Sequence, residues 1–223
     1  MAERRDRAGE QRYDATPYLP DRGGLPAYRE AAAACEGCPL HEHATRTVFG
    51  SGEASARLVL AGEQPGDQED RQGQPFVGPA GGVLRRALEE AGLDLADAYL
   101  TNAVKHFKFT SAGPGKRRIH KPPSLREMTA CRPWLTAELR LVDPEVIVAL
   151  GATAAKSLFG PSFRVTKERG ALFPTGEGAG DGDGSRARAL ATIHPSAVLR
   201  SEDREAVYRG FVSDLRVAAA ALR

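Results

Sequence analysis

Arg57-Leu58-Val59-Leu60-Ala61-Gly62-Glu63-Gln64-Pro65-Gly66-Asp67 is the stretch whose reading decides the fold. Its first half is a compact apolar run and its second half turns polar at once around glycine and proline. That is the pattern of a buried strand running straight into a turn. Ala98-Tyr99-Leu100-Thr101-Asn102-Ala103-Val104 and Glu145-Val146-Ile147-Val148-Ala149-Leu150 read the same way, the latter ending at Gly151. Residues 188–193 form a fourth such run, closing on His194-Pro195-Ser196. Between the runs lie helical patterns. Residues 78–82 open a helix whose Val83, Leu84, Leu88 and Ala91 share a face, stopped by Gly92. Ser124 caps a long helix to about Val142, which Pro133 is expected to kink or interrupt. Another helix follows Gly151 to about Phe159, and the last runs from about Ser201.

Strands alternating with helices predict a single-domain α/β/α sandwich with a central, mostly parallel four-stranded sheet. Residues 1–24 are polar without an apolar period and read as a mobile tail, leaving 25–223 as the domain. Residues 26–34 form a short helix that delivers Cys35 and Cys38 at its end. A hairpin is expected over 163–173, followed by a Gly- and Asp-rich loop over 175–185 with the composition of disorder.

The chain has 223 residues, 41% of them hydrophobic, which suits one well-buried domain. No apolar stretch approaches the roughly 20 residues that span a bilayer, and the charged N-terminal stretch is unlike a signal peptide, so a cytoplasmic protein with no membrane partner is expected. Nothing in the sequence suggests more than a monomer. Net charge is only +2, so any nucleic-acid binding must come from where the cations sit. They concentrate in Gly113-Pro114-Gly115-Lys116-Arg117-Arg118-Ile119-His120-Lys121-Pro122-Pro123, which reads as neither helix nor strand. Such a loop suits a phosphate-binding lip with a reactive histidine in it; taken alone, it equally reads as a solvated basic loop.

In doubly wound sheets ligands bind beyond the carboxyl ends of the strands. The polar clusters collect at that address: Glu63 and Gln64 after the first strand, Asn102 to His106 at and after the second, and His194-Pro195-Ser196 after the fourth. Glu63, Gln64 and Asp67 can hold a water or a cationic centre, although an ordinary polar turn has the same composition. Phe76 suits a stacking platform for a planar ligand and equally a core anchor. Asn102 can offer both a donor and an acceptor to a base edge, as can any Asn bonded to neighbouring backbone. His194 suits a donor to a ligand carbonyl. His120 lies among cations that favour the neutral imidazole, which is a nucleophile. Three cysteines, an odd number, argue against a disulfide framework, and Cys35-Glu36-Gly37-Cys38 has the spacing of a metal or redox pair.

Gly62-Glu63-Gln64-Pro65-Gly66, Pro75-Phe76-Val77-Gly78, Thr101-Asn102-Ala103-Val104-Lys105-His106, Lys116-Arg117-Arg118-Ile119-His120 and His194-Pro195-Ser196 together resemble the iron-sulfur uracil-DNA glycosylases. More narrowly they resemble the UdgX-type branch, which becomes covalently attached to uracil-containing DNA. The resemblance covers about residues 30–220. It implies that Phe76 stacks on an extruded uracil, Asn102 reads its Watson-Crick edge, and His194 donates to a uracil oxygen as charge builds on the leaving base. Gln64 stands where hydrolytic relatives position water, and Glu63 orients His120, which attacks the sugar C1′. Lys116, Arg117, Arg118 and Lys121 would hold flanking phosphates, and Asp67 and Ser196 belong to the same substrate-binding set.

The implied partner is uracil-containing DNA, single-stranded by preference because extrusion then costs least. The implied cofactor is a [4Fe-4S] cluster. Family members place one of its cysteines in Lys-Cys-Arg-Pro, where this chain has Lys105-His106-Phe107-Lys108, so the resemblance assigns Cys35, Cys38, His106 and Cys131 as ligands. It leaves a conventional hydrolytic glycosylase and a non-catalytic, metal-containing DNA-binding protein as alternatives.

Overall fold

The computed structural model describes residues 13–111, 113, 116–175 and 187–222. Helix α1 (Leu25–Ala32) leads to the cysteine pair, and strand β1 (Leu58–Gly62) opens the sheet. Helices α2 (Asp67–Gln72) and α3 (Pro79–Ala91) carry the chain to β2 (Ala98–Asn102). A small hairpin of β3 (Phe109–Ser111) and β4 (Arg118–His120) precedes the long helix α4 (Leu125–Val142). Strand β5 (Val146–Leu150), helices α5 (Ala152–Phe159) and α6 (Val165–Glu168), strands β6 (Leu172–Pro174) and β7 (Arg188–Thr192), and helices α7 (Pro195–Arg200) and α8 (Arg204–Ala221) complete it.

The main sheet has five strands in the order β2-β1-β5-β7-β6. The first four are parallel, as expected, and β6 adds an antiparallel edge. Side chains alternate between two apolar layers, as the pleat of a strand requires. Val59, Ala61, Tyr99, Ile147 and Ala189 face a core completed by Trp134 and Leu135 of α4. Leu58, Leu60, Val146, Val148, Leu150 and Leu190 face the other, completed by Leu84 and Leu88 of α3 and by Phe211 and Leu215 of α8. Sheets covered on both faces carry continuous apolar strands, which is why 57–61 and 145–150 were legible. The register sets Gly62 level with Asn102 and Leu150 level with Thr192, so four strand ends line up at one edge.

Several expectations change. The segment 163–173 is not a hairpin: 165–168 is helical, and 172–174 pairs with β7 instead. Phe159, Phe163 and Phe173 pack together, with centroids 4.4 to 5.8 Å apart, so the aromatic residues cap the sheet's edge rather than pair across a turn. Helix α4 runs unbroken through Pro133, beside the buried Cys131, Trp134 and Leu135, and a reciprocal Ser124/Glu127 capping box starts it. The basic segment is not wholly loop, since Phe109, Thr110 and Ser111 pair with His120, Ile119 and Arg118. Residues 13–19, assigned to the tail, lie against the domain: Asp14 N donates to Gly37 O at 2.8 Å, Ala15 N donates to Ala130 O at 3.0 Å, Ala15 is buried, and Tyr13, Tyr18 and Leu19 pack on the core. Residues 1–12, and the loop expected at 175–185 beyond Thr175, lie outside the described residues. No helix among the described residues is long and apolar enough to cross a membrane.

Candidate active site

The floor of the site is built where β1 and β2 end together. A Cβ on Gly62 would stand 2.4 Å from Asn102 Oδ1 and 2.8 Å from Phe76 Cζ, so both side chains lie directly against this bare backbone. Phe76 itself has φ +56°, a left-handed conformation that costs a non-glycine residue about 1–3 kcal/mol. Its neighbours impose it. The Phe76 carbonyl occupies the place of a Cβ on Gly81 (1.7 Å), and Glu69 accepts from Gly66 N (3.1 Å) and Gly78 N (2.8 Å), tying the turn after β1 to the Phe76 loop. The Phe76 ring lies nearly parallel to that of His194, with centroids 6.4 Å apart and 27° between planes.

Across from this floor stands Glu63. Its Oε1 lies 3.2 Å from His120 Nε2, and its Oε2 accepts from Thr153 Oγ1 at the start of α5. Burial opposes ionisation of Glu63, but the bonds to His120 and Thr153, with His194 nearby, outweigh it and hold the carboxyl below its ordinary value of 4.5. His194 caps α7: its Nδ1 accepts from Ser196 N at 3.2 Å and lies 2.7 Å from Ser196 Oγ. A backbone N–H can only donate, so Nδ1 is the acceptor and Nε2 carries the proton. Burial pushes His194 down to about 4, with the Glu63 charge opposing, so the ring is neutral at neutral pH. Ser196, expected to bind substrate, thus orients His194, and its Oγ also accepts from Arg200 at 2.9 Å.

The hairpin brings His120 to this place, and three side chains from the turn and helix after β1 hold it. Gln64 donates from Nε2 to Lys121 O (3.0 Å) and Lys108 O (3.2 Å), and its Oε1 accepts from Lys108 N (3.2 Å). Both ends of the amide are therefore committed to hairpin backbone, where the resemblance led us to expect a water-positioning group. Arg118 is similarly committed. Its guanidinium pairs with Asp67, donates to Asp70 Oδ2 at 2.6 Å and to Asp67 O at 3.2 Å, and lies over the rings of Phe107 (5.3 Å) and Phe109 (4.9 Å). Arg118 and Asp67, both expected to touch substrate, instead clasp each other. Arg118 and His120 share one side of β4, where Arg118 is partly buried and His120 half exposed, while Lys116, Arg117 and Lys121 are exposed.

The four expected metal ligands are all buried, and Cys35, Cys38 and Cys131 belong to one apolar cluster with Trp134. Burial raises all three thiols, Cys38 to about 11 and Cys131 to about 12. Two sulfurs already receive donors, Cys35 from Trp134 Nε1 (3.2 Å) and Cys131 from Lys105 N (3.3 Å), as thiolates bound to a soft metal do. His106 lies with Nε2 2.8 Å from Thr47 Oγ1. As placed, no three His, Cys, Asp or Glu side chains among the described residues form a metal-binding group. The donor chemistry suits a soft, thiolate-bound group.

Thr153 and Asp70 escaped the sequence reading. A threonine just past the strand-end glycine at 151 is the only sequence signal for the first, and i, i+3 spacing from Asp67 on α2 for the second.

A family model described as the uracil DNA glycosylase superfamily matches residues 49–216, so this chain belongs to that superfamily. Within it, a type-4 uracil-DNA glycosylase of Thermotoga maritima is 37% identical over 177 residues, which cover 79% of this chain and 83% of the relative. Proteins of the same name from Pyrobaculum aerophilum and Sulfurisphaera tokodaii are each 35% identical, over 167 and 180 residues that cover 74% and 78% of this chain and 80% and 76% of theirs.

Arg117→Ala is expected to reduce the slope of log affinity for DNA against log salt by about 0.7–0.9, the loss of one phosphate contact. Arg118→Ala is expected to leave that slope unchanged while exposing the hairpin to limited proteolysis. Acidification gives a second test. His194 is held at about 4 in the fold against an ordinary 6.5, so as pH falls below 6.5 the unfolded chain takes up a proton that the native one refuses, and stability declines. His194→Gln is expected to remove about 1–2 kcal/mol of that decline between about pH 7 and about pH 5, measured by urea unfolding.

Proposed function

We propose that this protein excises uracil from DNA and captures the resulting sugar on His120. The observation that carries the reading is the contact between Glu63 and His120 beside the Phe76, Asn102 and His194 pocket. Superfamily membership and the type-4 relatives support the excision step; the capture step rests on the hairpin.

An extruded uracil stacks on the Phe76 ring, its edge toward Asn102. The C1′–N1 bond breaks heterolytically, and its electron pair stays with the base. His194 Nε2–H donates to a uracil oxygen that gains charge, a donor aimed before the reaction begins. The sugar left behind is an oxocarbenium ion. His120 donates its proton toward Glu63 through one ring nitrogen, and the lone pair of the other forms the bond to C1′. The ionised Glu63 carboxylate stabilises the imidazolium that forms, whose remaining ring proton is then lost to solvent, and the uracil anion takes one from solvent. Hydrolysis would need a held water instead, yet the Gln64 amide is spent on Lys108 and Lys121 backbone. Single-stranded DNA is the favoured substrate, because unstacking then costs least.

Cys35, Cys38, Cys131 and His106 would hold a [4Fe-4S] cluster. Its contribution there is structural, joining the segment after α1 to α4. Cys131→Ser is expected to abolish the protein's visible absorbance and iron content and to lower its melting temperature.

The central test mixes the protein with a labelled single-stranded oligonucleotide containing one uracil, heats it in detergent and runs a denaturing gel. A heat-stable shifted band is expected for the parent and not for His120→Ala or a thymine oligonucleotide. Glu63→Gln is expected to slow its appearance about 10²-fold or more. Free uracil released over many turnovers would instead establish a hydrolytic glycosylase, and binding indifferent to uracil a non-catalytic one.

A further inference from the structure

Lys105 is 1% exposed and takes no part in the steps above. A buried ammonium is tolerated only when its charge and all its protons find partners. Here they do. Nζ pairs with Glu138, itself fully buried, and donates to Thr101 Oγ1 at 2.7 Å and to Asn102 O at 2.8 Å. Glu138 is saturated as well: Gly50 N (2.8 Å) and Tyr99 OH (3.0 Å) donate to one oxygen, and Thr101 Oγ1 (2.7 Å) and Lys105 to the other.

The place of this network matters more than its strength. Strand β2 is an edge of the main sheet. Its Leu100 turns to the open side both its N–H, which donates to Ser51 O at 2.7 Å, and its C=O, which accepts from Ser51 N at 2.8 Å. Two residues on, Asn102 turns its carbonyl to the same side. The Lys105 ammonium meets it there, while Ala103 N donates to Gly62 O on the inner side at 2.8 Å. The last peptide of β2 is thus gripped from both sides, and the Asn102 side chain leaves from between the grips. Tyr99 and Thr101 point to the α4 face and reach Glu138, so the grip is anchored in the rigid core.

We propose that Lys105, held by Glu138, is a positioning residue that fixes Asn102 for reading the base. This deepens, and rests on, the reading of Asn102 as the residue that meets uracil. A charged anchor is used because it bonds three acceptors at once and permits one geometry, where an apolar side chain would permit several.

The test uses the full chain and a single-turnover rate on the uracil oligonucleotide, with affinity for the same oligonucleotide carrying a stable abasic analogue as the second readout. The double variant Lys105→Met with Glu138→Gln leaves neither charge alone. Its uracil rate is expected to fall about 10²-fold, the scale for a reacting group displaced by about an ångström, with affinity for the abasic oligonucleotide unchanged within about twofold. Tyr99→Phe keeps both charges and the fold, and is expected to lose about two- to tenfold in the same readout alone. It carries the test if the double variant does not fold. Parent rates in folded variants would overturn the proposal, and so would equal losses in both readouts, which mark a general loss of structure. Asn102→Ala separates the two readings: if it reacts at the parent rate, Asn102 does not read the base, whatever the Lys105 variants do.

Discussion

The site depends on there being no side chain at residue 62. Strand β1 and its neighbour β2 end level with one another, and the space a single carbon would fill above Gly62 is taken by the Asn102 amide and the edge of the Phe76 ring. Any other residue would push those two groups apart. The strain in the Phe76 backbone belongs to the same constraint. The ring reaches Gly62 only because the chain takes a left-handed turn, which Gly81 makes room for and Glu69 clamps. About 1–3 kcal/mol of backbone strain is small beside the burial that holds β1 and α3 together.

On the other side of the pocket the chemistry is electrostatic. One carboxylate, Glu63, is kept charged in a half-buried place by two donors, Thr153 from α5 and His120 from the hairpin. Its neighbour His194 is kept neutral by burial, with its proton directed by the backbone of Ser196. A charged acceptor and a neutral donor thus stand near one another at two strand ends, and each state is set by local structure rather than by bulk pH.

The sheet was legible because its strands are buried on both faces and read as largely apolar runs, and because glycine or proline closely follows β1, β5 and β7. The convergence of Glu63, Asn102 and His194 followed from topology, since parallel strands deliver their ends to one edge. What the sequence hid was direction. Arg118 and Lys116 are alike as letters, yet the first lies in β4 and turns in to Asp67 and Asp70, while the second lies in the turn before that strand and is exposed. Gln64 was placed correctly, but its partners are backbone carbonyls and an amide more than 40 residues away, which no local pattern encodes. The segment 163–173 differs from the expected hairpin for a similar reason: its second half pairs with β7, and Phe163 and Phe173 pack on one another and on Phe159 at the sheet's edge, partners that no local pattern encodes.

The hairpin's fastening makes it a poor candidate for transplantation. It joins the body through Gln64, Asp67 and Asp70, which lie far upstream in the sequence, and Arg118 lies over Phe107, just before its first strand, and Phe109, which opens that strand. A scaffold given residues 109–120 alone would receive the histidine without the means to aim it. Hairpin and clasp form a single structural unit written in two distant segments, and neither segment alone would hold the histidine in place.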